Sequence, residues 1–345
     1  MIDETATSLQ PIRAIDLFCG IGGNSLGAQL AGVEIVAGFD KWELAGEVYK
    51  DNFRNAKFYP GKLQEAKLRE LKREIGKIDL ILASPECTSH SVARGNRTRY
   101  KRSMQLAFQV TRFAKAFKPR WILIENVVQM KRWDRYEEFI KELEAQDYKI
   151  LEQELVASNF GVPQSRNRLF LLCDLLQKPL SVVPPEDVAF KYARDVVNLN
   201  GTYKTSPLYN GRRAEKTLAR AKCGIHEVGG DKPFLIVYYG SDGEGSRGWQ
   251  SLDVPLRTIT TLDRFALIKP SENGDGPLMR MLQPPELQAA MGFSKSFKMN
   301  YGNRRDKIHL LGNAVCPPVI TTIVETLIGK ERLIAGRQVV AEQAA

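Results

Sequence analysis

The chain has 345 residues, 43% of them hydrophobic and 26% charged, an ordinary globular composition that suggests about two domains. No run approaches the roughly 18 apolar residues of a membrane-spanning helix, and the start, MIDETATSLQ, lacks the basic and apolar regions of a secretory signal, so a soluble cytosolic chain is expected. Five scattered cysteines without a C-x-x-C pair and only three histidines argue against a disulfide framework and a protein-bound metal, while a net charge of +10 favours a polyanionic partner.

In chain order, residues 12–18, 33–39, 78–83 and 121–124 are short β-branched-rich apolar runs that predict buried strands. Between and after them, residues 24–31, 44–52, 63–75, 104–117 and 136–145 have helical spacing, and 168–173 predicts a further strand. Strand alternating with helix implies an α/β fold with a mainly parallel, doubly wound sheet, whose ligands bind at the carboxyl ends of the strands. After Asp174 the prolines 179, 184 and 185 mark a linker. A stretch rich in Gly, Pro and Tyr then predicts a smaller irregular lobe, with short strands at 234–239 and 266–268 and a helix near 285–291. Residues 314–327 predict a buried helix returning to the first domain. The expected division is 11–178 plus 306–335 for one domain and 179–305 for the other.

Three motifs sit where strands end, and a fourth at a strand start. Asp16-Leu17-Phe18-Cys19-Gly20-Ile21-Gly22-Gly23 runs from a strand through a glycine turn into a helix, where backbone amides and the helix N-terminus favour an anionic group. Asp40 follows about twenty residues later, a position from which a carboxylate binds ribose hydroxyls, with Lys41 and Trp42 next to it. An exposed turn explains these residues equally well. Cys87 follows a buried strand and enters a segment with nine basic residues between Thr88 and Arg120 and no acidic one. A lone cysteine is more often a small buried hydrophobe, but neighbouring cations favour a thiolate. Arg94, Arg97, Arg99, Lys101 and Arg102 of that segment suit phosphate contacts, with a solvated surface as the alternative. Glu125-Asn126-Val127 places a carboxylate directly after an apolar strand, where desolvation tends to raise a pKa. Gln164-Ser165-Arg166-Asn167-Arg168 puts two arginines two apart, on one side of a strand.

Together with RMLQPPELQAAMGF (280–293) and LLGNAVCPP (310–318), these motifs stand in the order of the DNA (cytosine-5)-methyltransferase family, which the chain resembles over about 12–175 and 280–325. The resemblance implies a Rossmann-like methyltransferase domain, 11–178 plus 306–335, and a target-recognition domain, 179–305. It implies S-adenosylmethionine as cofactor, held by Asp16, Phe18, Gly20, Gly22, Gly23, Asp40, Lys41, Trp42, Asn313 and Val315. Cys87 would add to cytosine C6, Glu125 would bond the N3 and amine edge, Arg168 would contact O2, and Arg166 would support the pocket.

Double-stranded DNA is the implied partner, bound by a monomer in the cytoplasm of a prokaryote or its phage, with a cognate restriction endonuclease left open. In the recognition domain, Arg212, Arg213, Arg247, Arg257 and Thr258 are candidates to read bases or hold phosphates. Three departures from the family pattern stand out. Cys87 follows Glu86 rather than proline and precedes Thr88, Gly61-Lys62-Leu63 lacks the expected adenine-binding aspartate, and Lys41 separates Asp40 from Trp42. A tRNA cytosine methyltransferase, a catalytically impaired DNA-binding regulator and a nucleotide-dependent oxidoreductase are the competing readings.

Overall fold

The computed structural model describes residues 10–85, 105–239, 248–271, 274–330 and 332–333. Two compact units emerge, one of Met1–Val156, Asn167–Asp187 and Ala314–Ala345, the other of Ala157–Arg166 and Val188–Asn313. The division differs from the sequence expectation at its edges. Ala157–Arg166 joins the second unit because Gln164 bridges Leu256 and its buried amide bonds the backbone of Ile259 and Ala290.

In the first unit the strands are β1 (Arg13–Leu17), β2 (Glu34–Asp40), β3 (Lys57–Pro60), β4 (Leu80–Ala83), β5 (Trp121–Asn126), β6 (Lys149–Val156) and β7 (Asn167–Asp174). They form one sheet in the order β3-β2-β1-β4-β5-β7-β6. The β1–β5 pairings are parallel, but β7 runs antiparallel between β5 and β6. The sheet is thus mainly parallel, as expected, with β7 alone reversed. The edge strands β3 and β6 were not expected from the sequence, because each carries charged residues on a half-exposed face and shows no apolar run.

The helices are α1 (Gly23–Ala31), α2 (Glu43–Asn52), α3 (Leu68–Ile75), α4 (Phe108–Phe117) and α5 (Tyr136–Glu144). The expected helices over 63–75 and 104–117 both start with separate 3-10 turns, at Leu63–Glu65 and Gln105–Ala107. Alternation along the strands sorts the helices into two layers. Ile15, Leu17, Phe39, Ile81, Ile122 and Leu171 share one core with Leu71 of α3, Phe113 of α4 and Phe139 of α5. The opposite face carries Asp16, bonded to α1, and Gly38, where any Cβ would collide with Tyr49 of α2.

The chain begins at β1, moves outward to β3, then crosses back to β4 on β1's other side. The carboxyl ends of β1 and β4 thus flank the switch point where such sheets bind ligands.

The second unit is more regular than expected. β8 (Ser206–Pro207), β9 (Phe234–Val237), β10 (Trp249–Ser251), β11 (Phe265–Lys269) and β12 (Leu278–Met281) form an antiparallel sheet ordered β10-β9-β11-β12-β8. α6 (Glu215–Val228) covers it, with Ala221 packed among Phe234, Ile236, Ala266 and Ile268. α7 (Pro284–Ala290) and α8 (Arg304–Asn313) complete the unit, and α9 (Pro317–Ile328) returns to the first. The stretch Arg304–Ile328 is long and apolar enough to cross a membrane by composition, which the sequence reading missed; most of it is buried in the protein, as in a core helix.

Candidate active site

The glycine turn is built from unusual backbone. Phe18 has φ 58°, Gly20 φ 52° and Gly22 φ 91°, so the chain leaves β1 through left-handed conformations that cost a non-glycine residue on the order of 1–3 kcal/mol. Hydrogen bonds hold this bend. Cys19 N–H donates to Phe39 O (3.0 Å), Gly22 N–H to Cys19 O (2.7 Å), and Gly20 N–H to Asp40 Oδ2 (2.8 Å). Asp40 Oδ1 accepts from Trp42 N–H (2.8 Å), so this carboxylate has a fixed orientation at the end of β2. Trp42 is half-buried and caps α2, while Lys41 is exposed.

Each glycine of the turn has its own reason to lack a side chain. A Cβ on Gly20 would meet nothing within 4 Å, so open space lies beside that residue. At Gly22 it would strike the Phe53 ring (2.2 Å), and at Gly23 the carbonyl oxygen of Val315 (2.3 Å). Val315 therefore reaches the turn through its backbone. Asn313 is exposed at the end of α8, in the second unit. Gly23→Ala is expected to destabilise the protein by about 1–3 kcal/mol, because backbone on both sides must shift, and urea unfolding of the two proteins measures it.

Asp16 departs from the expected role as a cofactor contact. It is fully buried, with its carboxyl turned toward α1, where Ser25 donates to Oδ2 through Oγ (2.7 Å) and N–H (3.2 Å). Burial pushes its pKa up to about 7.

At the next strand ends, Glu125 is buried and pairs with Arg168 across β5 and β7 (Nε to Oε1, 3.0 Å). Its carboxylate is thus not isolated in an apolar setting but charge-compensated. Asn126 was singled out in the sequence only as part of its motif, yet it is structurally decisive. Its Nδ2 donates to Pro85 O (3.1 Å) while its Oδ1 accepts from Val127 N–H (2.8 Å), tying β5 to the segment that leaves β4. Asn24 Nδ2 grips the same segment through Ser84 Oγ (2.8 Å).

Glu86, Cys87, Thr88, Arg94, Arg97, Arg99, Lys101, Arg102 and Arg247 lie outside the described residues. Among the described cysteines, burial pushes the Cys19 and Cys173 thiols up, and the neighbouring acidic groups Asp16 and Asp40 add to the effect at Cys19.

Arg166 does not share Arg168's partner. It precedes β7, so strand alternation does not govern it, and it donates to Ile259 O (3.0 Å) and Gly312 O (3.1 Å) in the second unit. The 280–293 motif is also architectural: Arg280 and Glu286 form a buried ion pair (2.6 Å), and Glu286 further accepts from Gln283 N–H and Asn198 N–H. Arg212 is exposed, and Arg213 donates to Ser206 Oγ (2.7 Å). Arg257 bonds Gln250 through its backbone N–H, and the Thr258 hydroxyl reaches Ser165 O (3.4 Å).

The profile of the C-5 cytosine-specific DNA methylase family matches residues 12–329. The Type II methyltransferase M.HindV of Haemophilus influenzae is 34% identical over 333 residues, covering 93% of this chain and 98% of that protein. A human tRNA (cytosine(38)-C(5))-methyltransferase is 29% identical over 207 residues, 55% of this chain and 52% of its own. The solved structure of the Entamoeba histolytica methyltransferase EhMeth shares the fold, with a TM-score of 0.66 at 17% identity over 92% of this chain and 98% of its own. With its glycine turn, Glu-Asn-Val strand end and paired Arg168 spanned by one family profile, the chain belongs to the C-5 cytosine-specific DNA methylase family.

Proposed function

We propose that the protein transfers a methyl group from S-adenosylmethionine to C5 of a cytosine flipped out of duplex DNA, with Cys87 as the nucleophile. The observation that carries this reading is the Glu125–Arg168 pair at the sheet's ligand-binding end, adjacent to Asn126, which anchors Pro85 two residues before Cys87.

The residues of the glycine turn fit the cofactor. Open space beside Gly20, the α1 N-terminus and the oriented Asp40 carboxylate suit a carboxylate-bearing nucleoside whose ribose offers hydroxyl donors. Phe18, Gly20, Gly22, Asp40 and Trp42 would hold it, with Val315 backing the turn through Gly23. When bound, S-adenosylmethionine supplies an electrophilic methyl group.

Cytosine C5 is too weak a nucleophile to accept that methyl unaided. The Cys87 thiolate adds to C6, and the displaced electron pair makes C5 enamine-like while negative charge spreads toward N3 and O2. Glu125, fixed by Arg168, bonds the N3 and amine edge, and the Arg168 guanidinium stabilises charge at O2. After C5 has taken the methyl, loss of its proton to a base returns the pair to the ring. The C6–S bond then breaks, regenerating Cys87. Unstacking the target base costs a few kcal/mol, which cationic contacts to the backbone offset.

Arg166 acts at one remove, by bracing the backbone at Ile259 and Gly312. The second unit reads the sequence, and the first carries the chemistry. This reading includes a cytoplasmic enzyme, monomeric on DNA, and leaves a cognate restriction endonuclease open. Tritium transfer from labelled cofactor to duplex DNA, against a tRNA control, tests the substrate. DNA labelling is expected, and labelling of tRNA alone would overturn the reading.

Arg97→Glu together with Arg99→Glu is expected to weaken binding to all duplexes alike and to flatten the dependence of log K on log salt by about two phosphate contacts. Binding isotherms across salt concentration measure it. A changed methylation site at unchanged affinity would instead make this segment a base reader.

A further inference from the structure

The reaction leaves one buried titratable group unused. Asp16 is 0% exposed at the end of β1, and the donors around it are unevenly shared. Both Ser25 donors go to Oδ2, whereas Oδ1 is buried without a partner. Asn24 lies against the same carboxyl, and its own Oδ1 is likewise buried without a partner, because its Nδ2 is committed to Ser84. With these two oxygens unpartnered, an ionised Asp16 would leave buried acceptors without donors, which opposes its charge although the Ser25 and Asn24 side chains favour it. A single proton on Asp16 Oδ1 supplies the missing donor.

The surrounding charges point the same way. Among the described residues, no cation pairs with Asp16. The titratable groups around it are Asp40 at the end of β2, the Cys19 thiol on the turn and the Tyr49 phenol of α2. Burial holds both Cys19 and Tyr49 protonated, and Asp40 opposes a second negative charge. Since the Ser25 hydroxyl donates to Asp16, the Tyr49 phenol donates to Ser25 Oγ (2.9 Å). Observed bonds join Tyr49–Ser25–Asp16 on one side and Asn24–Ser84 on the other, and a proton on Asp16 shared with Asn24 Oδ1 would join them into one chain through α2, α1, β1 and the end of β4.

We infer that Asp16 keeps its proton in the folded protein well above the ordinary carboxylate range and is a positioning residue: it fixes the Asn24 amide, which in turn holds Ser84, three residues before Cys87. The positioning role rests on the proposed reading of Cys87 as nucleophile; the protonation state does not.

The sign of the pH effect follows from linkage. The folded protein keeps a proton that the unfolded chain loses above its ordinary value of 3.8, so this stabilisation is whole below that pH and is lost as the pH rises toward about 7. Asp16→Asn replaces the acid with a neutral amide of the same shape. Urea unfolding of wild type and Asp16→Asn, without cofactor or DNA, is the first test. Between pH 5.5 and 8.5 the wild-type folding equilibrium is expected to fall on the order of 30-fold relative to the variant. A ratio that stays constant, or moves in favour of wild type, overturns the neutral acid.

Ser25→Ala guards against a variant that fails to fold. Removing a donor that supports the carboxylate should move the wild-type stability change to higher pH, and no movement counts against the proposal. The positioning role is read with Asn24→Leu. Its covalent trapping on 5-fluorocytosine DNA is expected to slow about tenfold, with binding of S-adenosylhomocysteine within twofold of wild type. Equal losses in both, or no slowing, would overturn it. If wild type itself forms no adduct, the reading of Cys87 fails, while the unfolding result still reports on Asp16.

Discussion

Cys87→Ala is expected to abolish methyl transfer, and wild-type protein is expected to form a covalent adduct on DNA carrying 5-fluorocytosine at its target site. Fluorine cannot leave C5 as a proton does, so elimination stalls and the sulfur stays on C6. Mass spectrometry of the trapped complex should place the mass on Cys87. The other cysteines offer poor substitutes: Cys19, Cys173 and Cys316 are buried, and at Cys19 and Cys173 burial opposes the thiolate. Cys223 lies on α6 in the second unit. Binding of S-adenosylhomocysteine by Cys87→Ala should stay within about twofold of wild type, because in the proposed site the cofactor would be held from the ends of β1 and β2. Turnover by the variant, or an adduct on another cysteine, would remove the covalent mechanism as written.

Glu125→Gln is the second large effect. The amide keeps the shape and still accepts from Arg168 Nε, so the stability loss should be about 1–3 kcal/mol, measured by urea unfolding. The chemical step is affected more. A neutral amide cannot supply the acidic proton that would meet the negative charge building at N3, and the Arg168 charge loses its counterion. Loss of one such preorganised contact lowers rate about 10²- to 10³-fold, and single-turnover methyl transfer at saturating DNA is the measurement. Arg166→Ala should behave differently. Its guanidinium supports the carbonyls of Ile259 and Gly312 in the second unit, so unfolding of that unit should move with the rate.

The strands and helices nearest the chemistry were legible because each is an unbroken apolar run or a clear 3.6-residue pattern ending in a glycine or a charged residue. β1, β2, β4 and β5 came out within a residue or two of expectation, and so did the strand ends that carry Asp40 and Glu125. β3 and β6 did not, because edge strands bury only one side and their exposed charges erase the apolar signal. The antiparallel insertion of β7 was also hidden, since strand direction leaves no mark on local composition. The second unit looked irregular for a related reason: its strands are two to five residues long, and its sheet exists only through pairing between distant segments.

The order and identity of the motifs, and with them the family and its chemistry, were set by the sequence alone, because a glycine turn, a Glu-Asn-Val strand end and paired arginines are local in the chain. Their division of labour was decided only in three dimensions. Arg168 became the partner of Glu125 and Arg166 a brace elsewhere because one lies inside β7 and the other precedes it. Arg280 and Glu286, local in one motif, form a buried tie. Asp16, read as a ligand for the cofactor, turned inward because its β1 position faces α1, and burial then favours its neutral form. Hydrogen-bond partners and solvent exclusion depend on residues far apart in the chain, and only the folded protein brings them together.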